Sequence, residues 1–143
     1  MATRLFALCG GLIYTILGIL GFIPHFLWEP EMSRLRMDHA RFHAGWLGGF
    51  IPVNWPHNIL WLIIGVGGIV AFAAYAWSKA FSRGLFVVTI LFTFVGLLPL
   101  GIGSLWRFLP LNSWNVLIHA VTAMLAWYYG FVYPHGKELG IAQ

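Results

Sequence analysis

Charge is what this sequence has least of. Only 8% of its 143 residues are Asp, Glu, Lys or Arg, against 60% hydrophobic ones. The mean hydropathy of +0.83 leaves too little polar surface for a fold whose outside meets water. Cysteine is almost missing as well: Cys9 stands alone inside an apolar run, so no intrachain disulfide and no zinc-type cysteine spacing can form. The long apolar runs hold no Asp, Glu, Lys or Arg, which removes the usual marker of a proton relay or an ion-coupled path. Catalysis has equally little to draw on. No Gly-x-Ser-x-Gly turn occurs, Ser104 and Ser113 are boundary residues, and no pair of carboxylates falls in a span, so no enzymatic activity is expected. The net charge of +4 could suggest nucleic acid, but Arg4, Arg34, Arg36, Arg41, Lys79, Arg83, Arg107 and Lys137 fall between the apolar runs, as in membrane proteins, and nucleic acid is not expected as a partner.

What is present is apolar length. A spanning helix needs roughly 20 apolar residues, and runs of that size cover about 5–24, 56–77, 85–105 and 113–133. The expectation is an all-α membrane protein with four transmembrane helices in one integral domain, residues 1–143, with the lipid bilayer as its solvent. The first run follows Arg4 but continues uncharged to Trp28 without a small-residue cleavage site, so it reads as a retained helix and not a signal peptide. Gly10, Gly11, Gly18 and Gly21 would let a neighbouring helix approach it closely. Trp28, Trp77, Trp106, Trp114, Trp127, Tyr128 and Tyr129 lie near the ends of the runs, as interfacial aromatics do.

The one long connection, Glu29 to Phe50, places Met32, Leu35, His39, Phe42 or His43, and Trp46 at spacings of three and four, with Arg34, Arg36, Asp38 and Arg41 elsewhere. That pattern predicts a short amphipathic helix on the membrane surface. His39 and His43 are one turn apart, but only Asp38, Glu29 and Glu31 stand near as further ligands, and no metal site is expected. Basic residues tie between the two sides. The compact Lys79–Arg83 turn favours both termini in the cytoplasm.

The sequence also repeats itself. Gly21-Phe22-Ile23-Pro24 matches Gly96-Leu97-Leu98-Pro99, and Phe50-Ile51-Pro52-Val53-Asn54 matches Phe108-Leu109-Pro110-Leu111-Asn112, with Asn58 and Asn115 following. Two spans per repeat, 5–77 and 85–133, predict two helical hairpins of equal orientation related by a pseudo-two-fold axis along the membrane normal. Asn54 and Asn112 precede apolar helical runs, where their side chains can cap free N–H groups, and Pro56 needs no donor in the first turn. Among the histidines, His119 lies about two turns into the fourth span, where a neutral imidazole requires a partner: a cross-helix hydrogen bond or, alternatively, a chlorophyll or haem. His57, in the first turn of the second span, is placed near the interface, where water or a local bond could satisfy it.

These segments, together with Trp55-Pro56-His57-Asn58 and Trp114-Asn115-Val116-Leu117-Ile118-His119-Ala120-Val121-Thr122-Ala123, resemble the four-helix bacterial membrane proteins catalogued as domain of unknown function 4383, frequent in cyanobacteria and actinobacteria. The resemblance covers nearly the whole chain. Its pattern has a second histidine where this chain carries Trp61 and an acidic residue where it carries Asn115, so two potential ligands are replaced. The resemblance implies the fold and a bacterial plasma or thylakoid membrane, and assigns no activity. The leading expectation is a non-enzymatic accessory or assembly subunit that packs against a larger membrane complex, photosynthetic or respiratory, or against copies of itself, with no cofactor expected. The alternatives are chlorophyll or haem binding through His119, and passive passage of a small solute past Thr89, Thr93, Asn115, His119 and Thr122.

Overall fold

The computed structural model describes residues 1–28, 44–98, 108–111 and 114–134. Helix α1 (Ala2–Leu20) buries Thr3, Ala7, Gly11, Tyr14 and Gly18, a stripe at spacings of three and four that lays one face against its neighbours. It ends at Gly21, whose N–H is held by the Leu17 carbonyl. Pro24 opens a single 3-10 turn, Pro24–Phe26, from which the chain extends. Strands β1 (Leu27–Trp28), β2 (Gly45–Leu47) and β3 (Ile51–Val53) follow in an antiparallel sheet of order β1-β2-β3, pairing Trp28 with Trp46 and Trp46 with Pro52. Gly48 and Gly49, at φ of +60° and +84°, form the tight turn between β2 and β3 in a backbone region that side chains disfavour. Leu47 and Val53 pack on Tyr14 and Trp61, so the sheet closes over one end of the helices.

Helix α2 (Trp55–Ala71) is capped by Asn54 and carries Pro56 in its first turn. Helix α3 runs Tyr75–Leu97, and helix α4, Trp114–Trp127, continues into a π-helical turn over Tyr128–Val132. Among the described residues, three helical segments, Ala2–Leu20, Tyr75–Leu97 and Trp114–Val132, are long and apolar enough to cross a membrane. Helix α2 has 17 residues, about 26 Å at 1.5 Å per residue, against a hydrocarbon core of roughly 30 Å.

Helix α1 packs along α2, and α3 along α4. The first seam is made by glycines: a Cβ on Gly11 would lie 2.6 Å from the Ile69 nitrogen, and one on Gly68 2.6 Å from the Ala7 carbonyl oxygen. Gly18 and Gly21 are equally crowded by Leu62 and Asn58, whereas Gly10 has nothing near it and takes no part in the seam.

The structure corrects the sequence reading in three places. The fold is mostly helical, as expected of four apolar runs, but adds a small three-stranded sheet whose strands of two or three residues are too short to show an alternating pattern. Trp46, expected on an amphipathic helix, is in β2 paired with Trp28 and Pro52; the other residues of that expected helix, among them His39 and His43, lie outside the described residues. The second span stops at Ala71, not Trp77, and the third begins at Tyr75, not Leu85, so Lys79 and Arg83 are helical and form no turn. The apolar run continues through this junction and hides it. Side chains bind the carbonyls at this junction: Ser78 Oγ donates to that of Ala71 at 2.8 Å and to that of Ala74, which also accepts the Ser78 N–H, at 3.1 Å, and Arg4, from α1, donates to those of Phe72 and Ala73 at 2.8 and 3.2 Å.

Candidate functional site

The repeated Pro-x-Asn segments meet in space. Asn54, extended at the end of β3, accepts the His57 N–H at 3.0 Å through its Oδ1. Its Nδ2 donates to the Phe108 carbonyl at 2.9 Å. From the other side, Asn115 in the first turn of α4 donates to the Pro52 carbonyl at 2.7 Å and also to the Pro110 carbonyl. Pro52 lacks an N–H, and on the edge strand β3 this removes no ladder bond, while its carbonyl stays free for Asn115. Asn58 donates to the Gly21 carbonyl at 2.6 Å, and this contact explains the glycine, because a Cβ there would collide with the amide. Asn112 lies outside the described residues.

Behind this junction lies a cluster of buried rings. His57, Trp61 and His119 are each 0% exposed. The His57 ring is 4.4 Å from that of Trp61, one turn further along α2, and 5.8 Å from that of His119 on α4. Phe92 of α3 meets the edge of His119 at 5.3 Å, and Tyr14 of α1 meets Trp61 at 6.2 Å. All four imidazole nitrogens, Trp61 Nε1 and the Oδ1 atoms of Asn58 and Asn115 lack a hydrogen-bond partner among the described residues. His57 is therefore not at a solvated interface, and His119 makes no cross-helix hydrogen bond.

The hydroxyl groups behave differently. Thr89 and Thr93 donate to carbonyls one turn back on α3, those of Leu85 and Thr89, at 2.7 and 2.8 Å. Thr122 accepts from the Tyr14 hydroxyl at 2.9 Å, joining α1 to α4. Cys9 is exposed, beside an open groove of about 340 Å³ between α1 and α4. Among the described residues no three His, Cys, Asp or Glu side chains converge as a metal site would require.

Sequence reasoning singled out His57, Asn58, Asn115 and His119 but not their convergence, and it passed over Tyr14. Arg4 and Arg83 read as flanking charges; the structure shows them bonded to helix ends, Arg83 Nε donating to the Gly130 carbonyl at 3.0 Å. Trp61 and Asn115 belong to the same region as the two histidines.

Fold and site together define a small, mostly helical protein whose interior mixes apolar and polar side chains and whose longer helices are apolar enough to cross a membrane. The chain matches the family described as Domain of unknown function (DUF4383) over residues 4–132 and belongs to it. No curated protein and no solved structure matches the chain.

Proposed function

We propose that the protein is a non-enzymatic accessory subunit of a bacterial plasma or thylakoid membrane, a rigid bundle that spans the bilayer four times and packs against a larger photosynthetic or respiratory complex or against copies of itself. One observation carries this reading: the buried polar side chains face inward, bonding across elements (Tyr14–Thr122, Asn58–Gly21) or back onto their own helix (Ser82, Thr89, Thr93), while most of the large exposed side chains of the helices are apolar. Ile13 and Ile16 of α1, Ile63, Val66 and Val70 of α2, Val87, Leu91 and Phe94 of α3, and Leu117, Val121 and Met124 of α4 point outward. Such a surface recognises lipid and other helices by close packing and, among the described residues, offers few polar groups to a soluble substrate. The contacts of Asn54 with the Phe108 carbonyl and of Asn115 with the Pro52 carbonyl bring the two repeated segments side by side, as a pseudo-two-fold relation between residues 5–77 and 85–133 requires. Arg4 on the end of α2 and Arg83 on the end of α4 support a common level for these basic residues, and in this reading that level is cytoplasmic. The short α2 crosses with Trp55 and the Phe72–Ala74 turn at its limits.

The test is to isolate the tagged chain from its native membranes in mild detergent. The expected result is a colourless species that co-migrates with a stoichiometric membrane partner or as a defined oligomer. A colourless monomer under the mildest conditions would overturn the accessory role, and a visible absorption band lost in His119→Leu would replace it with chlorophyll or haem binding.

A further inference from the structure

The geometry points to the His57–Trp61–His119 cluster as an internal binding site for neutral guests of water size, one or two water molecules held between α2 and α4. The argument rests on buried polar atoms and their chemistry. His57 and Trp61 are one turn apart on α2, Asn115 and His119 one turn apart on α4, and all are 0% exposed. No hydrogen bond joins the two imidazoles, whose ring centres are 5.8 Å apart, and no other described residue reaches their nitrogens. Orphaned polar atoms in a packed interior carry the full cost of lost hydration, so native folds pair them or supply ordered water.

The donor set identifies the guest. A neutral imidazole offers one N–H and one acceptor nitrogen, an indole one N–H, and a carboxamide oxygen accepts. His57, His119 and Trp61 therefore present an N–H each, and His57, His119 and Asn115 present acceptors. A cation would use only the acceptors and leave the indole N–H of Trp61 orphaned. None of the four helices contributes an Asp or Glu to offset a cation's charge, and no third ligand of metal type is present among the described residues. Water, which donates two bonds and accepts two, suits both kinds of atom. A route is at hand: the Phe92 ring that covers His119 also lines an open groove of about 400 Å³ with Pro56, Ile59, Leu60, Phe108 and Leu109. The bound water joins α2 to α4 where no direct side-chain bond does, and is a third link between the hairpins beside the asparagine amides and the Tyr14–Thr122 bond.

The test uses the full chain in nanodiscs with nitrogen-15-labelled histidine, and His119→Gln, which keeps a polar partner, to assign the signals. The expected spectrum shows ring N–H protons of His57 and His119 in magnetisation exchange with water, nitrogens of neutral imidazoles, and no change on adding Zn²⁺ or Cu⁺. The contact of His57 with water should be lost in His119→Leu and kept in His119→Gln. Should His119→Leu not fold, the parent spectrum decides alone, since dry rings would overturn the proposal. A transition metal purifying at one per chain, or ring nitrogens shifted by Cu⁺ at one equivalent, would overturn it in favour of a metal site, and a visible band would do so in favour of a macrocycle. Each of these results is independent of whether the chain has a protein partner.

Discussion

The seam between α1 and α2 and the buried face of α3 solve the same problem by different means. In lipid, water does not drive helices together, and association relies on close packing and hydrogen bonds. The first seam removes side chains: Gly11 of α1 sits against Gly65 and Gly68 of α2, and backbone meets backbone. Helix α3 instead buries Ser78, Ser82, Leu85, Thr89 and Thr93, keeping small hydroxyl side chains and turning those of Ser82, Thr89 and Thr93 onto its own carbonyls, as Ser82 does to Ser78 at 2.8 Å. The difference teaches that glycine makes a seam with no tolerance for growth, because the obstacle is backbone. A hydroxyl bonded within its own helix makes a seam indifferent to loss of the bond, because the accepting carbonyl already serves the helix ladder.

The comparison can be broken most directly at Gly65. Gly65→Leu would drive a side chain into Thr15 and the Gly11 carbonyl. It should cost roughly 3 kcal/mol, the upper range for overpacking a tight interface, and be seen as a large fall in thermal unfolding temperature in detergent. A variant melting like the parent would mean that α1 and α2 are not in backbone contact. Between the extremes stands the asparagine junction. Asn54→Ala removes the α2 cap and the bond to Phe108, and an expected loss of about 1 kcal/mol is measurable in the same melt. The smallest effect should come from Thr89→Val, which keeps the shape and deletes only the hydroxyl's bonds to the Leu85 and Phe86 carbonyls of its own helix. We expect a change below about 0.6 kcal/mol, the average worth of a side-chain hydrogen bond between membrane helices. A loss as large as that of Gly65→Leu would show that the hydroxyl faces of α3 carry interhelical bonds after all.

Much of the helical architecture was legible because apolar length is a composition property that the bilayer demands. The junction at Phe72–Ala74 was not, because its residues are as apolar as the helices beside it, and the side chain that binds the Phe72 carbonyl is that of Arg4, 68 residues away. The Pro-x-Asn segments announced themselves by repetition, and capping by Asn54 follows from local chemistry. Their partners in the other half do not. His57 shows the same limit: a first-turn position reads as wet, and only the arrival of α4, with Trp61 turned onto the same ring, makes it dry. The strands escaped notice because Leu27–Trp28 and Gly45–Leu47 are shorter than the period needed to recognise them, and they exist by pairing with each other.

The bond from Asn115 to Pro52 also sets an order of events during biosynthesis. The two residues are 63 positions apart, so at a synthesis rate of about 5–20 residues per second the Pro52 carbonyl waits roughly 3–13 s for its partner to be made. Asn54 waits similarly for the Phe108 carbonyl, 54 positions on. The glycine seam, by contrast, needs only α1 and α2 and can close while the ribosome is still producing α3. Helices α1 and α2 can thus pack before α4 exists, whereas the asparagine bonds that tie them to the second half must await its synthesis.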